Sequence, residues 1–273
     1  MGRRKLLIIS TVVAVFLLRC IPRTTAEEVG DEREFSYESD SEHGPENWGK
    51  IHEDWAICNK GQMQSPLDLL DKRVQVHHHV GPLRRTYRAA LAVVKNRGHD
   101  IMVKWEEDPG AIWINETMYT LKQLHWHAPS EHTLNGRRYA VEMHMVHESA
   151  DQKVAVVGIL YKIGRPDSFL EEVEEEIMKI GDLTGEEEVL GMVNPRHAKW
   201  GSRKYYRYLG SLTVPPCTEG VVWTIIKKVR TVSRKQVDRL REAVHDDFEM
   251  NARPIQEINE RTVSLYRPPN FKC

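Results

Sequence analysis

Two neighbouring segments between Gln123 and His147 are rich in histidine, with His125 and His127 at alternate positions of the first, and this pattern constrains the fold more than any other feature of the chain. The first reads Gln-Leu-His-Trp-His-Ala-Pro-Ser-Glu-His. The second, after a short polar turn, reads Glu-Met-His-Met-Val-His. Alternate side chains of a strand share a face. Gln123, His125 and His127 then lie on one face, opposed by Leu124 and Trp126. Glu142, His144 and Val146 share a face of the second segment, opposed by Val141, Met143 and Met145. Antiparallel pairing brings His144 opposite the His125/His127 pair, so that three imidazoles converge. Three neutral histidines with one open position make a catalytic zinc site. An alternating histidine pair alone is more often a half-buried polar face. Here, however, Gln123 stands two residues before His125, and Glu142 two residues before His144, each on the histidine's own face. A ligating imidazole needs such a partner on its second nitrogen to fix the tautomer.

With 273 residues the chain is long enough for one large domain with a sizeable core. It opens Met-Gly-Arg-Arg-Lys and continues with an apolar run from Leu6 to Leu18, short for a membrane span and shaped like a secretory signal. Residues 1–26 are expected to be a signal peptide cleaved near Ala26, leaving 27–273 as the domain with no stable membrane span. A buried helix, a membrane anchor or myristoylation at Gly2 are the competing readings. The leader holds five of the 39 basic residues and no acid. Without it 34 basic face 40 acidic residues, a net charge of about −6. An acidic chain offers nucleic acid no electrostatic attraction, so no nucleic-acid partner is expected. The basic spots Arg84/Arg85 and Lys227/Lys228/Arg230 read as scattered, solvated surface.

Of four cysteines, Cys20 lies in the leader and Cys273 is the last residue. In an oxidising compartment Cys58 and Cys217 are the natural disulfide, with Cys273 free or intermolecular, so a monomer or a dimer is open. Asn115-Glu-Thr is a glycosylation sequon. The expected destinations are the extracellular apoplast, the vacuole, or a plastid (stroma or thylakoid) reached through the secretory route.

Residues 27–47 form a polar lead-in, and Trp48–Cys58 reads as coil with one helical turn. Gln64-Ser-Pro-Leu-Asp-Leu resembles a turn entering a short edge strand. The run His77-His78-His79 converges poorly on one metal, because neighbouring strand residues face opposite ways, and it reads as surface. Strands are expected at Leu91–Lys95, Ile101–Trp105, Ala111–Ile114, Met118–Leu121, the two histidine segments, Val154–Tyr161, Tyr205–Tyr208, Val221–Val229 and Thr262–Tyr266. Gly158 reads as a point of close backbone approach. Leu170, Val173, Ile177 and Ile180 space an amphipathic helix over Pro166–Ile180, and Ser233 caps a second helix reaching Val244. Strands dominate, helices are few and peripheral, and no internal repeat or linker is present. The chain is mainly β.

These residues carry a family signature. Gly44-Pro-Glu-Asn-Trp48, Gln64-Ser-Pro66, Gly98-His99, Gln123-Leu-His-Trp-His127, Ser130-Glu-His132, Glu142-Met-His144, Val154-Ala-Val-Val-Gly-Ile159, Gly210-Ser-Leu-Thr-Val-Pro-Pro216, Trp223, Asn251 and Arg253-Pro254 occur in order through nearly the whole mature chain. The chain resembles an α-class carbonic anhydrase of the plant-type secreted form. The resemblance implies a single domain around a large, mostly antiparallel twisted sheet. It implies a lyase that hydrates carbon dioxide reversibly to bicarbonate and a proton by attack of zinc-bound hydroxide. Inhibitory anions and sulfonamides are the further ligands it implies.

Residue by residue, the resemblance makes His125, His127 and His144 the Zn²⁺ ligands. Gln123, Glu142 and the Asn251 carbonyl are their partners. Thr213 orients the hydroxide, Glu131 holds Thr213, and His99 is the proton shuttle near the cone mouth. Val146, Val156 and Leu212 form the apolar wall for carbon dioxide, with Val214 beside them. Tyr37 matches a water-ordering tyrosine, and Cys58/Cys217 match a bridged pair. Histidine titrates near neutral pH, and His99, in a turn, is expected to reach solvent.

Three positions depart from the family pattern. Val214 stands where many relatives carry a hydroxyl or imidazole, and Met102 and Arg97 stand where polar uncharged groups help order water. Ordinary zinc chemistry with slower proton export is the resulting expectation. A non-catalytic storage protein on the same fold would lose ligand histidines, whereas all three are present. A carbohydrate-binding domain would leave the inward histidines unexplained. A different zinc hydrolase would need a wider groove.

Overall fold

The computed structural model describes residues 34–77, 81–181, 183–244 and 248–268. The expected signal peptide with Cys20, the histidines 78 and 79, and Cys273 lie outside the described residues.

A 13-stranded sheet dominates the described residues. Its main path runs Glu187–Val193, Ala90–Asn96, Ile101–Trp105, Thr117–His127, Val141–Ser149, Val154–Ile163, Glu219–Ile226, Tyr205–Ser211, Ser264–Tyr266 and Gln75–Val76. Pairing along it is antiparallel except where Val154–Ile163 meets Glu219–Ile226 and where Ser264–Tyr266 meets Gln75–Val76. The two histidine strands are central neighbours. Segments that read as separate strands at Met118–Leu121 and Gln123–His127 are one strand of 11 residues. A register shift between Leu121 and Gln123 breaks the alternation that marks a single strand in sequence.

The faces expected to oppose the histidines are buried. Leu124, Trp126, Met143 and Met145 join the main core with Phe169, Leu170, Val173 and Ile177 of the helix Ser168–Lys179. Each such side chain, fully buried, stabilises the fold by about 1.5–3 kcal/mol. This leaves the histidine face of the sheet for the site. The helix starts two residues later than the apolar spacing alone indicates, because the Asp167 side chain caps it by accepting from the N–H groups of Phe169 and Leu170. Ser233 and Gln236 form a capping box on the second helix, Arg234–Glu242. Gln236 also bonds both main-chain polar groups of Asp167, at 2.9 and 2.8 Å, and so ties the two helix starts together.

Some elements differ from the sequence reading. Trp48–Cys58, read as coil with a single turn, lies in three short helical pieces, Trp48–Ile51, Glu53–Trp55 and Ile57–Lys60. Their turns are too short to show a period. The strands Glu187–Val193 and Arg230–Val232 had no sequence signal, since their residues are largely exposed or half-exposed and follow no alternation. The expected disulfide joins Cys58 to Cys217 across 159 residues of sequence. Asn115 is exposed at the tip of the hairpin between Ala111–Ile114 and Thr117–His127, as expected of a sequon.

Lys227 is anchored rather than simply solvated. Asp71 Oδ1 accepts from Lys227 Nζ at 2.5 Å and from Tyr206 Oη at 2.7 Å, fastening the Asp71 turn to the sheet. These bonds hold the Asp71 carboxyl at about 2, below its ordinary 3.8. A carboxyl depressed in the folded state stabilises fully above its unfolded pKa, and the contribution is lost as pH falls through the folded value. Denaturation midpoints measured from pH 5 to 2 are therefore expected to fall for the wild type as this carboxyl protonates between about 3.8 and 2. Asp71→Asn removes that share of the pH dependence and lowers stability at pH 7.

Candidate metal centre

The pairing register sets His125 directly opposite His144, and His127 opposite Glu142. Strand alternation turns all three histidines to one face, where they are buried to 2, 1 and 1% exposure for His125, His127 and His144. Ring centroids are 5.1 Å apart for His125–His127, 5.2 Å for His125–His144 and 4.6 Å for His127–His144. One nitrogen of each ring lies within 4.8 Å of the other two.

The second nitrogen of each ring has a polar neighbour in a different direction. His125 Nδ1 donates to Gln123 Oε1 at 2.8 Å, along the same strand. His127 Nδ1 donates to the Asn251 carbonyl at 2.6 Å. Asn251 is itself fixed, because its side chain accepts from Ala128 N at 2.8 Å and donates to the His99 carbonyl at 2.8 Å. Glu142 Oε1 lies 3.0 Å from His144 Nε2. With these nitrogens facing their polar neighbours, the atoms left to a metal would be Nε2 of His125, Nε2 of His127 and Nδ1 of His144. The residues fit zinc on this structure's own terms: three convergent imidazoles, two of them with the tautomer fixed by a hydrogen bond, and a His127 Nε2 that is buried with no hydrogen-bond partner among the described residues.

A second group, His132, Glu142 and His144, is equally compact. It reads instead as support for the first. Glu142 Oε1 also receives His132 Nδ1 at 2.8 Å, and Oε2 receives the His132 main-chain N–H at 2.8 Å, so both oxygens are committed. His132 Nε2 meets Tyr208 Oη at 2.6 Å, and Tyr208 meets Ser65 Oγ at 2.8 Å. Burial alone would raise the Glu142 pKa, but His132 and His144 outweigh it and keep the carboxyl well below its ordinary range. Burial likewise disfavours a charged His127, yet Glu131, the Asn251 carbonyl, Asp100 and Glu142 together raise its pKa above the ordinary histidine value. In the metal-free chain a proton therefore competes for this nitrogen set.

Glu131 is fully buried beside the histidines, with Oε2 at 3.6 Å from His127 Nε2 and 3.9 Å from His144 Nδ1. Its Oε1 accepts from the Arg253 main-chain N–H at 3.0 Å, whereas Oε2 has no hydrogen-bond partner among the described residues. The donation from Thr213 implied by the family resemblance is not made among the described residues, although Thr213 is buried, at 3% exposure. Arg253, 1% exposed, turns its guanidinium away to bind Gln64 Oε1, Ser65 O and Cys58 O at 2.8, 2.9 and 2.7 Å. That grip locks the irregular segment carrying Asn251 to the part of the chain fixed by the disulfide.

His99 departs from expectation. It does not reach solvent but is wholly buried, with Phe35 and Phe248 ring centroids at 5.4 and 6.4 Å. These two aromatics come from segments more than 60 residues away on one side and about 150 on the other, so nothing local to Gly98-His99 could disclose them. Arg97 is not a free cavity group either. It forms a buried ion pair with Asp100, whose Oδ2 lies 3.8 Å from His99 Nε2. Met102 is paired with His125 on the neighbouring strand. Val146 and Val156 face each other across paired strands and pack in one cluster with Leu212 and Trp223, whereas Val214 joins the main core. Tyr37 packs edge-on against Trp48 and Phe248, 5.5 and 5.9 Å away, in the aromatic group that covers His99. His77 is half-buried beside Gln75, apart from the metal ligands.

Sequence reasoning missed His132, Tyr208, Ser65, Asp100 and Phe35 as parts of this site. His132 stood in a quoted motif, but Tyr208, which ties it to Ser65, comes from a distant strand and carries no local pattern.

Comparison with known proteins places this geometry. The family model "Eukaryotic-type carbonic anhydrase" matches residues 43–267. Alpha carbonic anhydrase 7 of Arabidopsis thaliana is 56% identical over 241 residues, 88% of each chain. A solved dioscorin in complex with ascorbate superposes with a TM-score of 0.85 at 45% identity, covering 87% of this chain and 99% of that one. The α-carbonic anhydrase of Thermovibrio ammonificans in complex with sulfanilamide gives 0.78 at 33% identity, covering 84% and 98%.

Gly158 sits opposite His144 on the adjoining strand, and a Cβ there would stand 2.9 Å from Glu142 Oε1 and 2.5 Å from Ile225 Cδ1. Gly158→Ala is expected to push Glu142 off His144 and to weaken zinc binding about 10–100-fold, the usual cost of losing such a partner. Competition with a chromophoric chelator measures it. An unchanged affinity would mean that Glu142 does not set the His144 ring.

Proposed function

The chain belongs to the eukaryotic-type carbonic anhydrase family and catalyses the zinc-dependent, reversible hydration of carbon dioxide; from that premise we propose how its residues divide the work. His125, His127 and His144 hold the zinc. Zinc on neutral ligands supplies a hydroxide near neutral pH, an effect for which carbonic anhydrases are themselves the standard example, with a bound-water pKa of about 7 that belongs to the family and was not obtained from this chain. The observation that carries the reading is the convergence of three buried imidazoles, with the second nitrogen of His125 and of His127 hydrogen-bonded and that of His144 3.0 Å from Glu142 Oε1.

Thr213 donates a hydrogen bond from its hydroxyl to Glu131 Oε2 in the working enzyme and so accepts one from the nucleophile in a fixed direction. The buried, unpartnered Oε2 supports this assignment. Val146, Val156 and Leu212 provide a wall without donors, suited to a nonpolar substrate. His99 carries the proton outward. Its enclosure by Phe35 and Phe248 supports slow export, because the ring must move past an aromatic cover to meet buffer. Sulfonamides and small anions are ligands of the same centre. The Cys58–Cys217 bond supports passage through the secretory route, where such bonds form and persist, after removal of residues 1–26.

Stopped-flow hydration of carbon dioxide tests the reading, with zinc assayed on the same sample. Fast turnover at about one zinc per chain is expected, with loss on chelation and in His144→Ala. Thr213→Ala is expected to keep its zinc and lose about 100-fold in kcat/KM. His99→Ala is expected to slow turnover in dilute buffer and to recover with added imidazole. Folded, zinc-loaded protein without turnover would contradict the mechanism.

A further inference from the structure

A cavity of about 470 Å³ lies apart from the metal centre and shares none of its residues. Leu83, Trp200 and Ile226 give it an apolar wall, while Arg85 and Arg203 bring positive charge, and no carboxylate lines it among the described residues. The Arg85 guanidinium stacks 4.1 Å from the centre of the Trp200 ring, so its long side chain is held in place. A third guanidinium lies close to the lining residue Gly201. Arg230 Nη1 is 3.2 Å from where a Cβ on Gly201 would lie, and Gly201, at φ +69°, gives the loop its close approach. In sequence Arg85 and Arg230 belong to separate basic spots that read as solvated surface. The fold gathers them at one place.

Arg85 and Arg203 are like charges that meet no counter-charge among the cavity's described lining residues, and bringing like charges together costs free energy. An oxyanion answers this, since carboxylate oxygens accept from guanidinium N–H groups. The size is that of a small-molecule site, and the apolar wall calls for more than a bare ion. We propose that this cavity binds a small organic carboxylate with a flat apolar body.

Benzoate is the probe, titrated calorimetrically into the zinc-loaded full-length protein saturated with sulfanilamide, and in parallel into metal-stripped protein, so that the metal centre takes up none. The expected result is saturable one-site binding in both samples, with benzamide and inorganic phosphate each at least about tenfold weaker, as befits a charge-assisted bond backed by an apolar wall. Arg203 is exposed, so Arg203→Ala is expected to fold normally, to retain carbon dioxide hydration and to bind benzoate about tenfold more weakly. Arg85→Lys keeps the charge, gives up the planar fork stacked on Trp200 and is expected to weaken binding several-fold. Absence of saturable benzoate binding in both samples would overturn the proposal. So would wild-type affinity in both variants, or phosphate binding as tightly as benzoate. None of these outcomes bears on the metal centre, whose failure would show instead as loss of zinc or turnover.

Discussion

Everything at the metal centre depends on one pairing register, the one that puts His125 opposite His144. Strand side chains alternate, so a slip of one residue would send His144 to the face now filled by Met143 and Met145 and bring those sulfurs to the ligand face. The register is held from the core side. Leu124, Trp126, Met143 and Met145 pack against the helix Ser168–Lys179, and exchanging them for histidines would bury unpaired imidazoles in an apolar layer. Packing on one face of the sheet thus fixes chemistry on the other.

The polar side is held by contacts that join local pairs to segments far away in sequence. Glu142 bridges His144 to His132, and His132 passes the chain of contacts to Tyr208 and Ser65. Arg253 fastens Glu131 through its main chain and Gln64, Ser65 and Cys58 through its guanidinium. The disulfide fixes Cys58 against Cys217, a few residues beyond Thr213. Ligand orientation, Glu131 and the Thr213 loop therefore belong to one connected network, and loss of one buried member leaves others unpaired at about 1–3 kcal/mol each.

Much of this was legible in the sequence because it is local. Gln123 and His125, or Glu142 and His144, are two residues apart on one strand, and period-two reasoning alone places them on one face. The helices were legible through their spacing and caps. What could not be read was whatever depends on a distant element arriving. The bulge at Leu121–Gln123 hid one long strand as two, the exposed edge strand Glu187–Val193 had no alternation to show, and the cover over His99 is built from Phe35 and Phe248. The family resemblance supplied Asn251, Glu131 and Thr213, which no local pattern marks. It also carried the assumption that His99 lies open, which this chain's own aromatics contradict.

The central claim is that zinc is held by His125, His127 and His144, and not by the neighbouring set that includes the Glu142 carboxylate. X-ray absorption spectroscopy at the zinc edge of the loaded protein tests it most directly. The account predicts three imidazole nitrogens and one solvent oxygen at about 2.0–2.1 Å, with the imidazole count falling by one in His144→Ala and unchanged in His132→Phe. A carboxylate ligand in the wild-type spectrum, or loss of an imidazole in His132→Phe, would contradict it.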